Sequence, residues 1–245
     1  MPRYQKAAAF MLSAVMSLLL LLVLLVTSIN QVTFDLDFYR QQYDALDNHE
    51  DLEISRDELL RVTVELLDYI KGKRSSLDTI YADIDGENVQ FFNQREIDHM
   101  VDVKKLFEYA DNVRLYSMLL IALLGAALYF ISFKKPWYYL ARAYLIIFAI
   151  IAALSVLLYL LMQTDFTRYW DQFHYIFFDN DLWLLDPNTD RLILMVPEPF
   201  FYSAVTRVLG YTAAGLLLPA AAGIIYLCFA RKRGMKKRLP QQNNQ

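Results

Sequence analysis

The sequence predicts an all-α membrane protein in which four transmembrane helices bear an extracytoplasmic, mainly helical cap. Three observations support this fold class. Of the 245 residues, 56% are hydrophobic, and they form long uninterrupted runs rather than an even amphipathic pattern. Four of these runs approach or reach the roughly 20 residues that a helix needs to cross the hydrocarbon core of a bilayer. Basic residues collect at one set of ends of the runs, and acidic residues collect between the other ends.

The predicted spans are residues 7–29, 115–133, 143–162 and about 208–230. The first run follows Arg3 and Lys6, as a secretory signal would. Its apolar core is too long, however, and Val26, Thr27 and Ser28 offer no small-x-small cleavage site. We therefore expect a retained membrane anchor. None of the four spans contains a charged residue, which argues against an ion pump or a transporter of charged substrates.

The charges of the connecting segments predict the orientation. One side contains only basic residues, namely Arg3, Lys6, Lys134, Lys135, Arg142, Arg231, Lys232, Arg233, Lys236, Lys237 and Arg238. By the positive-inside rule this side is cytoplasmic, and so are both termini. Every acidic residue lies between Asp35 and Glu198, in segments that we expect outside the cell.

These boundaries predict five regions: an N-terminal span (1–29), an extracytoplasmic cap (30–114), two spans joined by a short cytoplasmic loop (115–162), a second extracytoplasmic segment (163–207), and a last span with a basic cytoplasmic tail (208–245). The final residues, LPQQNNQ, have the composition of a disordered polar tail.

Two capping boxes predict helices in the cap. Ser55, with Glu58 three residues later, opens a helix that should end at Gly72. Asn93, with Glu96 three residues later, opens an amphipathic helix that leads into the second span.

One face of this second helix combines an imidazole with two carboxylates. Glu96 lies three residues before His99, and Asp102 lies three residues after it. A neighbouring carboxylate can set the tautomer of an imidazole and raise its basicity, as a general base requires. A solvated helix face explains the same pattern equally well.

The second extracytoplasmic segment contains His174 within a dense set of aromatic residues. They are Tyr169, Trp170, Phe173, Tyr175, Phe177, Phe178, Trp183, Phe200, Phe201 and Tyr202. An interfacial aromatic belt would account for some of them. Their density favours the wall of a lipid-facing pocket.

Two turns are predicted outside the membrane. Residues 83–88 have the composition of a simple turn. Residues 186–189 form a second turn between two short apolar runs, 182–185 and 192–196, which predicts a small hairpin.

Several reaction classes are excluded because their motifs are missing. The sequence has no nucleophile elbow, no zinc-protease motif, no Walker loop and no dinucleotide fingerprint. The single cysteine, Cys228, lies near the cytoplasmic end of the last span, where a packing role is expected. His99 and His174 remain, and they suit acid–base chemistry on a substrate that brings its own nucleophile. No cofactor and no nucleic acid partner is predicted.

A metal site is a competing interpretation. His99 and His174 could be joined by Asp102, Asp179 or Asp181. The spacing signal is weak, because the two histidines are far apart in sequence and carboxylates are plentiful.

The whole pattern resembles the lipoprotein intramolecular transacylase (Lit) family of Gram-positive bacteria. Besides the four spans and the large first outer segment, the resemblance rests on REIDHMVDVK at residues 95–104, FH at 173–174, DLW at 181–183, TDRLI at 189–193 and PEPFF at 197–201. It implies an enzyme that moves an acyl chain from the sn-2 position of a lipoprotein's diacylglyceryl group to the amino group of its N-terminal cysteine, giving the lyso form. The implied partners are a diacylated lipoprotein and membrane lipid.

The resemblance also implies that His99 and His174 act together at the boundary between cap and membrane. One histidine would take the proton of the amine, and the other would donate to the ester oxygen or stabilise the oxyanion; the sequence does not say which. Further candidates for positioning or donation are Glu96, Asp102, Arg95, Tyr175, Trp183 and Arg191. Two alternatives stay open: a non-catalytic membrane protein with a partner-binding cap, and a metal-dependent lipid hydrolase.

Overall fold

The computed structural model describes residues 2–84, 86–132 and 135–236, the last three without their side chains. In chain order its elements are α1 (Arg3–Thr33), α2 (Leu36–Leu46), α3 (Asn48–Asp51), α4 (Arg56–Ile70), β1 (Tyr81–Ile84), β2 (Glu87–Gln90), α5 (Gln94–Ile131), α6 (Pro136–Met162), α7 (Phe166–Phe177), α8 (Arg191–Met195) and α9 (Glu198–Lys236).

Within these residues, four helices are long and apolar enough to cross a membrane: α1, α5, α6 and α9. The prediction of four spans is confirmed, and each helix begins before its predicted apolar run. The end of the second predicted span, Phe133, lies outside the described residues. So do Lys134, Lys237, Arg238 and the predicted disordered tail, together with the side chain of Lys236.

One compact unit is formed by Met1–Thr27, Val113–Tyr159 and Leu209–Gln245, so far as these are described. Small residues allow its helices to approach closely. A Cβ on Gly215 would lie 3.0 Å from the side chain of Leu24. The hydroxyl of Tyr144 donates to the carbonyl of Leu216 at 2.6 Å, which ties α6 to α9. Close backbone approach at small residues is the usual way in which helices pack in a bilayer.

The other unit is formed by Ser28–Asn112 and Leu160–Val208. It has a continuous apolar core supplied by α2, α4, β1, the start of α5, and α8. Helix α4 begins where its capping box predicts, since the hydroxyl of Ser55 accepts the backbone N–H of Glu58 at 3.2 Å. It ends at Ile70, and Gly72, two residues later, adopts a positive φ of 73°, as expected of a glycine that terminates a helix.

The hairpin predicted for residues 182–196 is wrong. The turn at Asp186 forms, but the chain then enters helix α8 instead of a strand. Leu192 and Met195 are both buried, and a spacing of three places them on one helical face. The apolar run is too short for its sequence alone to distinguish a helix from a strand. The packing of its buried face decides between them.

A small hairpin is present elsewhere, between β1 and β2. It replaces the simple turn predicted for residues 83–88, because Asp83 pairs with Asn88 as antiparallel neighbours. The tip residue, Asp85, lies outside the described residues. Side chains of β1 alternate between the two faces of the hairpin, and Ala82 on the inner face is buried in the core, which stabilises the hairpin.

Candidate active site

The predicted capping box at the start of α5 is confirmed. The backbone N–H of Asn93 donates to Oε2 of Glu96 at 2.7 Å, and the N–H of Glu96 donates to Oδ1 of Asn93 at 3.1 Å. Both residues also reach the later segment. Nδ2 of Asn93 donates to Asp190 at 2.7 Å, and the other oxygen of Glu96 accepts the N–H of Leu192. The cap therefore joins α5 to α8.

Glu96 is committed to this junction. It is 1% exposed, and burial raises the pKa of its carboxyl, while the N–H groups of Leu192 and Asn93 oppose that shift. Because its two oxygens accept backbone N–H groups, Glu96 holds the helix on which His99 lies rather than bonding to the imidazole.

His99 and His174 are brought together although 75 positions separate them in the sequence. His99 lies in the polar N-terminal part of α5, before the apolar segment that begins at Leu115, and His174 lies in the last turn of α7. Their ring centroids are 6.4 Å apart. They are 8% and 7% exposed, respectively. The ring of Phe178 contacts both, with centroid distances of 5.5 Å to His99 and 5.7 Å to His174.

The tautomer of His174 follows from its hydrogen bond. Nδ1 lies 2.8 Å from the carbonyl oxygen of Trp170, and a carbonyl only accepts, so Nδ1 holds the proton and Nε2 presents a lone pair. Burial lowers the pKa of His174, against the opposing effects of the Trp170 carbonyl and the nearby Asp171. The ring is therefore neutral at neutral pH.

His99 is also neutral. Burial, followed by the neighbouring His174, lowers its pKa to about 4, while Asp102 has the opposite effect. Its Nδ1 is buried and has no hydrogen-bond partner among the described residues. A buried lone pair without a partner is tolerated better than a buried N–H without one, which favours the tautomer with the proton on Nε2.

Aromatic rings enclose His174. The indole of Trp183 stacks on it at 4.6 Å and 14°. Trp170 and Phe173 lie nearly perpendicular to the imidazole, with centroid distances of 4.8 Å and 5.4 Å. Four members of the aromatic set recognised in the sequence, Trp170, Phe173, Phe178 and Trp183, thus pack against the imidazole, whereas Phe200 packs in the apolar core against Phe38. The role of the set as a lipid-facing wall stays a prediction.

Asp102 lies beside the pair without a hydrogen bond to His99. One of its oxygens accepts Lys105 at 3.0 Å, and the other accepts Nδ2 of Asn180 at 2.9 Å. Partial burial raises the pKa of Asp102, but the hydrogen bonds from Lys105 and Asn180 outweigh this effect and lower it. Asp102 is therefore a carboxylate that is held in place.

The remaining candidates lie farther from the imidazoles. Arg95 bonds to the carbonyl of Asp181. Arg191 donates to the carbonyls of Gln90 and Phe91, each at 3.1 Å, and so secures the end of β2. Tyr175, which is exposed, meets the edge of Trp183. Of the predicted supporting residues, only Trp183 contacts a histidine ring.

No cluster of three or more His, Cys, Asp or Glu side chains suited to a metal ion occurs in residues 2–84, 86–132 and 135–236. Asn180 was missed in the sequence because its role depends on a contact across 78 positions. An asparagine in a polar loop gives no local signal of such a contact.

Comparison with known proteins gave the following results. The family model described as lipoprotein intramolecular transacylase Lit matches residues 14–201. A solved structure of the membrane-integral lipoprotein intramolecular transacylase Lit from Bacillus cereus aligns with a TM-score of 0.69 at 22% identity, covering 93% of this chain and 98% of that one. Structures of the same B. cereus protein with a histidine-to-arginine or histidine-to-alanine mutation align with a TM-score of 0.68 at 21% identity, covering 94% of this chain and 96% or 98% of those. No curated protein matched.

Proposed function

The chain belongs to the lipoprotein intramolecular transacylase family, and from this premise we propose that His99 and His174 catalyse transfer of the sn-2 acyl chain of a diacylglyceryl-cysteine lipoprotein to its own N-terminal amine. The product is the lyso-form lipoprotein. The observation that supports the assignment most directly is the pairing of two buried imidazoles, 6.4 Å apart, with aromatic rings packed around His174.

His174 acts as the general base. Its Nε2 lone pair is available because Nδ1–H donates to the Trp170 carbonyl. The amine of the substrate has an ordinary pKa of about 7.7 to 8, so a minority of roughly a fifth to a third is already neutral at physiological pH. His174 therefore only has to accept the proton that the nitrogen sheds as it attacks.

His99 stabilises the oxyanion. With its proton on Nε2, the ring can donate a hydrogen bond to the carbonyl oxygen of the ester as negative charge develops there. A histidine whose pKa is near 4 performs this role as a neutral donor. Neutral imidazole is an established electrophile in other enzymes.

The reaction balances without water or a cofactor. The amine nitrogen forms a bond to the acyl carbon, and the bond between that carbon and the sn-2 oxygen breaks. The amine proton moves to Nε2 of His174 and then to the departing glyceryl oxygen, which becomes the free hydroxyl of the lyso form. His99 keeps its own proton throughout.

Positioning supplies much of the remaining rate. Holding the amine and the ester of one substrate in line can contribute on the order of 7 to 11 kcal/mol at ideal alignment. Around His174, Trp170, Phe173 and Trp183 pack against the ring. This apolar shell disfavours water as a competing nucleophile, so hydrolysis of the ester is suppressed.

The protein is a multi-pass membrane protein. We place both termini in the cytoplasm and the histidine pair outside it, with the diacylated lipoprotein and membrane lipid as partners. The distribution of basic residues supports this orientation. Labelling of cysteines introduced at Tyr109 and Arg231 in a Cys228→Ser background tests it. A membrane-impermeant maleimide should label the cysteine at position 109 and not the one at position 231. The reverse labelling would show the opposite topology.

The activity is tested by expression in a host that makes diacylated lipoproteins, with mass spectrometry of their N-terminal peptides. The intact chain should yield an N-acylated cysteine that bears one acyl chain on the glyceryl group. His99→Ala and His174→Ala should each leave the amine free. His49→Ala is the matched control, because His49 is the third histidine of the chain and contacts Arg56 instead.

The outcomes separate the alternatives. A free amine with both glyceryl chains retained, in membranes that contain the well-expressed chain, would contradict the transacylase. Released fatty acid would identify a hydrolase. N-acylated product formed at the same level by the intact chain and by both histidine variants would show that neither imidazole is catalytic.

A further inference from the structure

Asn180 links three parts of the site that no local sequence pattern connects. Its Nδ2 donates to Oδ2 of Asp102 at 2.9 Å. Its Oδ1 accepts the N–H of Leu182 at 3.1 Å, which forms a tight turn. Its backbone carbonyl accepts Nε1 of Trp183 at 3.0 Å. One residue thus bonds to helix α5, to its own loop, and to the indole beside His174.

The two ends of this link lead to the two histidines. Asp102 lies three residues after His99, about one turn along the same helix. Trp183 is buried and stacks on His174 at 4.6 Å. A shift of the loop that contains Asn180 relative to α5 would therefore move Trp183, which packs on His174, relative to His99.

Asp102 is well suited to be the fixed end. Its second oxygen accepts a hydrogen bond from Lys105 at 3.0 Å, so the carboxylate is also oriented by a residue of its own helix. A hydrogen bond to a charged acceptor is stronger than one between neutral groups. Asn180 itself is exposed, so its contact adds little to the burial that stabilises the fold.

We propose that Asn180 is a positioning residue: by bonding to Asp102 and Trp183 together, it sets the separation of His99 and His174 at which acyl transfer occurs. This inference rests on the proposed function for its role in catalysis. The part that concerns geometry does not rest on it, because the packing of Trp183 against the imidazoles can be tested without substrate.

Asn180→Asp is the sharpest perturbation. The new side chain still accepts the N–H of Leu182, so the turn is retained, but it places a second carboxylate against Asp102. We expect kcat for acyl transfer to fall roughly 10- to 100-fold, as misplacement of about 1 Å does in other enzymes. We expect KM to change by less than about threefold, because substrate binding is retained.

The matched control reverses the pair. Asp102→Asn combined with Asn180→Asp restores an amide donor facing a carboxylate, with the two groups exchanged. Asp102→Asn alone retains an acceptor for Asn180 and should be mild. The double variant should therefore recover kcat to the level of Asp102→Asn. A double variant no more active than Asn180→Asp would overturn the proposal.

A second measurement is independent of activity. Diethyl pyrocarbonate acylates unprotonated imidazole nitrogens, and the labelled histidines can be quantified by mass spectrometry of peptides. Asn180→Asp should raise the labelling rates of His174 and His99 severalfold and leave His49 unchanged, and the double variant should reverse the increase. Unchanged rates in Asn180→Asp would refute the positioning role. An intact chain that forms no N-acylated product would refute the transacylase instead, and the labelling would still decide the role of Asn180.

Discussion

Replacing Glu96 by alanine should destabilise the unit that contains the histidine pair. Glu96 is 1% exposed and accepts two backbone N–H groups, one from Asn93 at 2.7 Å and one from Leu192. Alanine leaves the buried N–H of Leu192 and the half-buried N–H of Asn93 without this acceptor. The contact with Leu192 is also the direct link between the start of α5 and α8, so both helices lose support.

The magnitude follows from these two bonds. A buried polar group without a partner costs about 1 to 3 kcal/mol, so two such groups give an upper range of roughly 2 to 6 kcal/mol, and the partial exposure of Asn93 reduces it. Removing the carboxylate also removes the free-energy cost of burying it, which offsets part of this loss. Burial is the main reason why the pKa of Glu96 is raised. We therefore expect a loss of about 2 to 4 kcal/mol. Glu96→Gln retains one acceptor and should cost about half as much.

Thermal unfolding of the purified protein in detergent, followed by tryptophan fluorescence, measures the effect. A loss of 2 to 4 kcal/mol lowers Tm by roughly 4 to 16 °C for a chain of this size. Glu108→Ala is the matched control, since Glu108 is an exposed glutamate on the same helix, and such changes usually stay within about 0.5 kcal/mol. Equal Tm values for Glu96→Ala and Glu108→Ala would show that the buried carboxylate does not join α5 to α8.

Two further predictions concern pH and the core. Burial lowers the pKa of His99 from 6.5 to about 4, so between these values the unfolded chain binds a proton that the folded chain does not. The contribution of His99 to the free energy of unfolding should therefore fall by roughly 3 kcal/mol as the pH falls from 6.5 to 4. Because the pKa of His174 is lowered as well, denaturant titrations at each pH should show a loss in both chains that is smaller by about this amount in His99→Phe, and parallel pH profiles would contradict the prediction. Phe91 is fully buried and lies under Arg191, so Phe91→Ala should cost about 3 to 5 kcal/mol, whereas the exposed Tyr81→Ala on the same hairpin should lower Tm far less.

Local signals predicted much of the fold. The two capping boxes, at Ser55 and Asn93, were recognised from residues three apart, because a cap is satisfied within a single turn. The spans were recognised from composition for the same reason, since the free energy of transfer into a bilayer is summed along one helix. The placement of Glu96, His99 and Asp102 on one helix followed from the register that the cap sets.

The partners of those residues could not be predicted in the same way. The shared face suggested that Glu96 or Asp102 orients His99, but Glu96 bonds to Leu192 and Asp102 bonds to Asn180, on segments that follow two membrane spans. The misplaced hairpin has the same origin. A five-residue helix such as α8 is too short for its apolar residues to show a helical period, and it is stabilised by contacts with residues that are distant in the sequence.

The sequence by itself determined the four membrane helices, the start of α5 and the presence of a histidine in each of the two long segments that connect the spans, because hydropathy and capping depend on neighbours along the chain. Only the tertiary structure decided that His99 and His174 lie 6.4 Å apart, that burial lowers the pKa of both, and that the Trp170 carbonyl accepts the proton of Nδ1 and leaves the lone pair of His174 on Nε2. Those properties arise from burial and from hydrogen bonds within the packed unit, and neither exists until segments far apart in the chain have come together.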